Sequence, residues 1–357
     1  MGDDRAPARL TYAPALDGLR ALSCLAVMLY HAGYLPGGFL GVDIFFTLSG
    51  FLITSLLVEE LRATGTVDLR AFWRRRIFRI VPLFATVSVT WFVWGWAAHS
   101  RAGDETIVGA LAGLLFVTNW LLSTHPLTVG ALGAGWSVAA EEQFYVLWPL
   151  ILTALALVLR TERRVAAAAG AAALLLAAHR YAMAPHVPWA RVWHGVETQA
   201  DTLLVGCAVA LGWRCTSRLV ARASGAILVG LLLLAHDNRP ITAQLILPAV
   251  ALCTALLIPT LQEHSGWLTQ PLLRAVGKRS YGLYLWSYPI TYLVAKVHDV
   301  HGPVVPLLVF PATFLVTEVT YRLVELPLRR LGRRAPRRSP ASAPAPGAPL
   351  QLSAGRP

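Results

Sequence analysis

YHAGYLPGGFLGVDIFFTLSGFLITSLL, residues 30–57, is apolar enough to lie in a membrane, yet it carries His31, Asp43 and the glycines Gly33, Gly37, Gly38, Gly41 and Gly50. Ionisable side chains are costly within hydrocarbon, and they turn towards a protein interior or a water-filled hollow. The stretch therefore reads as the end of one span, a tight connection and a second span, with other helices needed around its polar groups. Gly37, Gly38 and Gly41 let backbone approach backbone at the connection, and Gly50 serves close packing in the second span.

The rest of the chain supplies those helices. Of 357 residues, 56% are hydrophobic and only 14% charged, with a mean hydropathy of +0.56, against roughly a quarter charged in a soluble domain. Apolar runs of about 20 residues, the length that crosses the hydrocarbon layer, recur along it. The fold class is all-α, a polytopic transmembrane helical bundle. Eleven apolar segments are drawn, at 16–35, 39–58, 80–98, 105–123, 137–159, 165–179, 197–213, 224–236, 240–261, 281–298 and 303–326. Cations cluster within 62–79, 160–164, 214–222, 274–279 and from Arg329 onward, and the positive-inside rule places those clusters in the cytoplasm. They agree if 105–123 dips in and returns, which gives about ten spans, one re-entrant or tilted segment, and two cytoplasmic termini.

Residues 1–13 are then a cytoplasmic N-terminal segment and 14–331 a membrane-embedded domain. Residues 332–357, rich in Pro, Ala and Arg, form a disordered cytoplasmic tail. Residues 68–79 mix apolar and basic positions, as a helix on the cytoplasmic surface does. The first apolar stretch is expected to be retained as a span, not cleaved. The net charge of +12 follows from the positive-inside pattern and does not call for nucleic acid. Cys24, Cys207, Cys215 and Cys253 lack metal-type spacing and read as free thiols, so no metal site and no permanently bound cofactor is expected.

The polar residues inside the spans point to chemistry. Arg20 and His31 are eleven positions apart on the first span, which puts them on one helix face roughly 16 Å apart along the axis. Asp17, three residues before Arg20, is placed to pair with it. Asp43, Glu141, Glu142 and Asp201 all lie just inside from the outer face in this map. Several ionisable groups at similar depth imply one polar chamber with His31, in which Asp43 fixes the imidazole by a hydrogen bond. Glu141 and Glu142 point about 100° apart, so one of them, preferentially Glu142, faces that chamber. On the cytoplasmic side Arg76 and Arg79, at i and i+3, share a face and are suited to fork a phosphate. Membrane-embedded His, Asp and Glu beside a broken helix also suit a proton-coupled transporter, although no inverted repeat is visible.

The stretches LDGLRALSCLAVMLYHAG, GGFLGVDIFFTLSGFLIT, FWRRRIFRIVP and WSVAAEEQFYVLWP, with the weaker ADTLLVG, GKRSYGLYLWSYPI and VELPLRRL, resemble the acyltransferase-3 family of integral-membrane O-acyltransferases. The resemblance covers most of residues 14–331. It implies transfer of an acyl group, often acetyl, from cytoplasmic acyl-CoA as co-substrate to a sugar hydroxyl, in a multi-pass protein of the bacterial plasma membrane. It also implies that His31 is catalytic with Arg20 as its motif partner, and that Arg76 and Arg79 bind the donor. Asp201 and Ser287 fall at positions tied to substrate contacts, but the chain departs from the family pattern there. Ser287 stands where the family often has a histidine, and Gln199 where it often has an arginine. The acceptor is a carbohydrate, either an envelope polysaccharide or a glycosylated small molecule such as a macrolide. No extra hydrolase-like domain is expected, because the chain ends soon after the last span.

Overall fold

The computed structural model describes residues 13–124, 129–213, 215–264 and 266–333. The expected tail from 334 and most of the N-terminal segment lie outside them. Among the described residues the fold is helical, without strands. The helices are α1 (Pro14–His31), α2 (Gly41–Thr64), α3 (Leu69–Ala98), α4 (Arg101–Leu114), α5 (Thr118–Thr124), α6 (Gly135–Leu159) and α7 (Glu162–Met183). They continue with α8 (Trp189–His194), α9 (Ala200–Ala210), α10 (Arg218–Leu234), α11 (Leu247–Glu263), α12 (Pro271–Thr291), α13 (Val304–Thr320) and α14 (Leu326–Arg333).

Local chemistry sets many of these ends. Pro14 opens α1, where the amide it lacks would be unpaired anyway. Asp68, Ser100, Thr161 and Ser217 cap α3, α4, α7 and α10 by accepting from the amides of Ala71, Gly103, Arg164 and Val220. Gly65 ends α2 in the left-handed region, at φ 72°.

Among the described residues, six helical stretches are long and apolar enough to cross a membrane: Gly38–Thr64, Leu69–Ala98, Gly135–Leu159, Glu162–Met183, Thr242–Glu263 and Val304–Gly332. Two sequence expectations need correction. Residues 68–79 are no separate surface helix; from Leu69 they are the first turns of the 30-residue α3, a rod of about 45 Å. The segment 197–213 contains only the 11-residue α9, about half the length a span needs. It is buried between α2, α7 and α11, so apolarity there reflects enclosure by protein. The segment 105–123 holds the 14-residue α4 and the short α5. Helix α4 is too short to cross and packs back along α3, with Gly103 against Gly95 and Gly113 against Phe84.

Tight backbone contact at the centre comes from α2 and α9. A side chain at Gly50 would begin 1.9 Å from the Leu203 carbonyl oxygen, and one at Gly206 would begin 2.0 Å from that of Thr47. The two helices therefore meet backbone to backbone, as expected for Gly50. This contact, with α1 laid along α12, fixes the frame on which the polar residues sit.

Candidate active site

Helices α1, α2, α3, α6 and α12 enclose a cavity of about 280 Å³. Arg20, Arg76, Arg79, Glu141, Glu142 and Tyr145 line it, together with Asp17 and the tyrosines Tyr281 and Tyr284. Arg76 and Arg79 sit one turn apart on α3, as their spacing requires. Arg20 donates to the Ser280 hydroxyl, at 3.2 Å from Nη2 and 3.4 Å from Nε. The Arg76 guanidinium lies 4.0 Å from the centroid of the Tyr145 ring. Arg79 faces the like charges of Arg76, Arg20 and Arg329. None of Arg20, Arg76 and Arg79 forms an ion pair among the described residues. The expected Arg20–Asp17 bridge is thus replaced by the Ser280 contact.

Both adjacent glutamates reach the cavity, although helix geometry sets them about 100° apart. Glu141 accepts hydrogen bonds from Ser49 and from Tyr145, one turn along α6. Glu142 Oε1 is buried without a partner and lies within electrostatic reach of Arg76 and Arg79. Glu142 is therefore the carboxylate of the two with an oxygen left free to accept. Helix α6 begins against Phe84, midway along α3, and its first turns carry both glutamates into the cavity with the arginines.

His31 ends α1, half-buried and outside this cavity. Its Nδ1 is sealed in protein without a hydrogen-bond partner. Its ring neighbours are aromatic: Tyr288 edge-on, with centroids 4.8 Å apart, and Tyr30 at 5.6 Å. The hydrogen bond expected from Asp43 to His31 is not formed. Asp43 is fully buried with both carboxyl oxygens unpartnered, and its electrostatic neighbours are Arg180 and Asp201.

Arg180, near the end of α7, is fully buried, with its guanidinium gripped on three sides. It donates to Asp201 Oδ1 at 2.6 Å and Oδ2 at 2.7 Å, to the Thr198 carbonyl at 2.6 Å and to the Ala243 carbonyl at 2.9 Å. Ala243 lies in a π-helical turn, Thr242–Ile246. Asp201 is thus engaged within the protein. So is Ser287, which is buried and donates to the Tyr284 carbonyl of its own helix at 3.1 Å. The single chamber of the sequence reading resolves into an arginine–glutamate cavity, a histidine with aromatic walls, and a buried Asp43–Arg180–Asp201 group. The residues that sequence reasoning missed are Tyr145, Ser49 and Ser280. Only Tyr145 carried a signal, the i+4 spacing from Glu141.

The chain matches a family model described as an acyltransferase domain over residues 14–322. It is 31% identical over 350 residues to the peptidoglycan O-acetyltransferase OatA of Listeria monocytogenes, an alignment covering 90% of this chain and 56% of that protein. It is 33% identical over 355 residues to the putative peptidoglycan O-acetyltransferase YrhL of Bacillus subtilis, covering 91% and 56%. It is 30% identical over 360 residues to a putative O-acetyltransferase of Staphylococcus aureus, covering 92% and 59%. The chain thus spans less than two thirds of the length of each of these relatives. No solved structure matches it. The family model runs from the first turn of α1 through nearly all of the helical body, and the chain belongs to the acyltransferase-3 family of membrane acyltransferases.

Proposed function

We propose that the chain transfers an acetyl or other short acyl group from acyl-CoA to a carbohydrate hydroxyl. The observation that carries this reading is the cavity in which Arg20, Arg76 and Arg79 converge, none of them in a direct ion pair among the described residues, although Glu141 and Glu142 share the lining. Guanidiniums held in low dielectric with their donors not taken up by a direct carboxylate pair are suited to a phosphorylated ligand. The CoA head would lie against them from the cytoplasmic side. The pantetheine arm, by order of magnitude, is long enough to carry the thioester along α1 towards His31.

There the acceptor hydroxyl attacks the thioester carbonyl as His31 takes its proton. Collapse of the tetrahedral intermediate breaks the C–S bond, expels the CoA thiolate and leaves an ester. The proton on His31 then passes to the thiolate or to water. A route through an acyl-histidine uses the same atoms in two steps. Glu142, with its unpartnered oxygen beside Arg76, acts on the donor side of this path.

The acceptor that fits the names of the relatives is the glycan of peptidoglycan, with a glycosylated small molecule such as a macrolide as the second candidate. In the plasma membrane the chain would cross about ten times with both ends cytoplasmic, α4 and α5 forming the re-entrant segment and α9 enclosed by its neighbours. The transporter reading is not favoured, because the family model covers the same helices. Mass spectrometry of envelope glycans and small metabolites from cells with and without the gene tests the proposal. An acyl mass lost with the gene, and lost again in His31→Ala, is the expected result. Solute flux without release of free CoA would overturn it.

A further inference from the structure

Resting on this assignment of His31, we infer that Tyr288 is the residue that positions the imidazole, by ring-edge packing in place of a carboxylate hydrogen bond. A catalytic histidine is ordinarily held by an acceptor at one ring nitrogen, which fixes both orientation and tautomer. Here Nδ1 is buried with no acceptor at all, and both oxygens of Asp43 are buried with no donor. What touches the imidazole is aromatic. Tyr288 from α12 meets it edge-on, at 4.8 Å between centroids and 67° between planes. Tyr30, its neighbour in sequence, lies at 5.6 Å and 52°.

Both rings are themselves held. Tyr30 donates to Asp237, in the connection after α10, and packs on Phe39 at 5.5 Å. Tyr288 stands over Gly133, where an added Cβ would sit 3.1 Å from ring carbon Cε1 and 3.2 Å from the hydroxyl oxygen. Gly133 has ordinary helical angles, φ −51° and ψ −44°, so its backbone makes no demand for glycine. The missing side chain leaves room for the Tyr288 ring. Edge-to-face aromatic contacts are directional, so a ring fixed in this way restricts the rotation of the imidazole. With Nδ1 sealed, Nε2 is the nitrogen left to meet a hydroxyl.

Two variants move Tyr288 in different ways, and a third leaves its ring alone. Tyr288→Leu removes the edge, Gly133→Ala crowds it, and Tyr288→Phe keeps it without the hydroxyl. The full chain in nanodiscs is treated with diethyl pyrocarbonate, and carbethoxylation of the His31 peptide is followed by mass spectrometry. Transfer from acetyl-CoA to N-acetylglucosamine oligomers is measured in parallel. Tyr288→Leu should label several-fold faster than the parent, while Tyr288→Phe labels at the parent rate. In transfer, Tyr288→Leu should lose about 10²-fold in kcat, the scale of an ångström-level misplacement, with KM for acetyl-CoA within about twofold. Gly133→Ala should fall between, and Tyr288→Phe should stay near the parent.

Equal labelling of parent and Tyr288→Leu would overturn the inference, as would a Tyr288→Phe variant as impaired as Tyr288→Leu. Labelling does not depend on acyl transfer. A parent chain that transfers nothing while Tyr288→Leu labels faster counts against the proposed function and for the positioning role.

Discussion

Replacing Arg180 by methionine should be among the most damaging single changes in the chain. The guanidinium is fully buried and makes four hydrogen bonds, two of them to Asp201. Breaking a buried pair by removing one partner costs about 3–5 kcal/mol, because the other charge is left without compensation. Arg180→Met strands the Asp201 carboxylate and also removes the cation within electrostatic reach of the buried Asp43. Asp201→Asn strands one guanidinium that keeps the Thr198 and Ala243 carbonyls and still faces Asp43. Arg180→Met should therefore lie at or above the top of that range and Asp201→Asn at its lower end. The double variant Arg180→Met/Asp201→Leu removes both charges and should recover at least about 2 kcal/mol relative to the sum of the singles. Adding Asp43→Asn to Arg180→Met should recover part of the loss as well. The assay is reversible unfolding in mixed micelles, followed by tryptophan fluorescence and analysed as a double-mutant cycle. Strict additivity of the two singles, or an Arg180→Met variant as stable as the parent, would refute the reasoning.

Three further outcomes are expected. Arg79→Gln should raise KM for acetyl-CoA about 10–10²-fold, the equivalent of one charge-assisted hydrogen bond, with a smaller change in kcat in the same nanodisc assay. Gly206→Ala places a Cβ 2.0 Å from the Thr47 carbonyl oxygen; it should drive α2 and α9 apart and abolish the monodisperse peak in size-exclusion chromatography. His194 is held down to about 4 by burial, partly offset by its contact with the Ala190 carbonyl. Because its folded value lies below the unfolded value, its contribution is intact above about pH 6.5 and is lost as pH falls towards 4, by up to about 3 kcal/mol. His194→Phe, which keeps a ring against Trp136, should flatten the acid limb of a Tm-against-pH plot.

The helical class and the long spans were legible because lipid selects for sustained apolarity, which leaves a direct mark on sequence. Arg76 and Arg79 were legible for a similar reason, since two residues on one helix face need no tertiary information. Membership of the cavity was not legible. Glu141 and Glu142 stand at the start of an apolar run, and only the assembled bundle shows that both line one cavity with Arg76 and Arg79. The burial of Arg180 was not legible either. A cation next to a loop reads as solvated, and only the approach of α9 and the π turn at Ala243 shows that three acceptors wait for it. The 11-residue α9 shows that enclosure by protein and exposure to lipid leave the same apolar pattern. The third dimension alone separates them.

Helix α1 is one uninterrupted rod, with Arg20 about two turns in from its start and His31 at its end. On the proposed function it would work as a gauge rod between the place where a phosphorylated head is gripped and the place where a hydroxyl loses its proton. Substitutions between the two ends leave the gauge intact as long as the helix persists. Inserting one residue would turn one end against the other by about 100° and lengthen the rod by about 1.5 Å. On the proposed function the interval between arginine and histidine has to match the arm of the donor, and a donor with a shorter or longer arm would demand a different count.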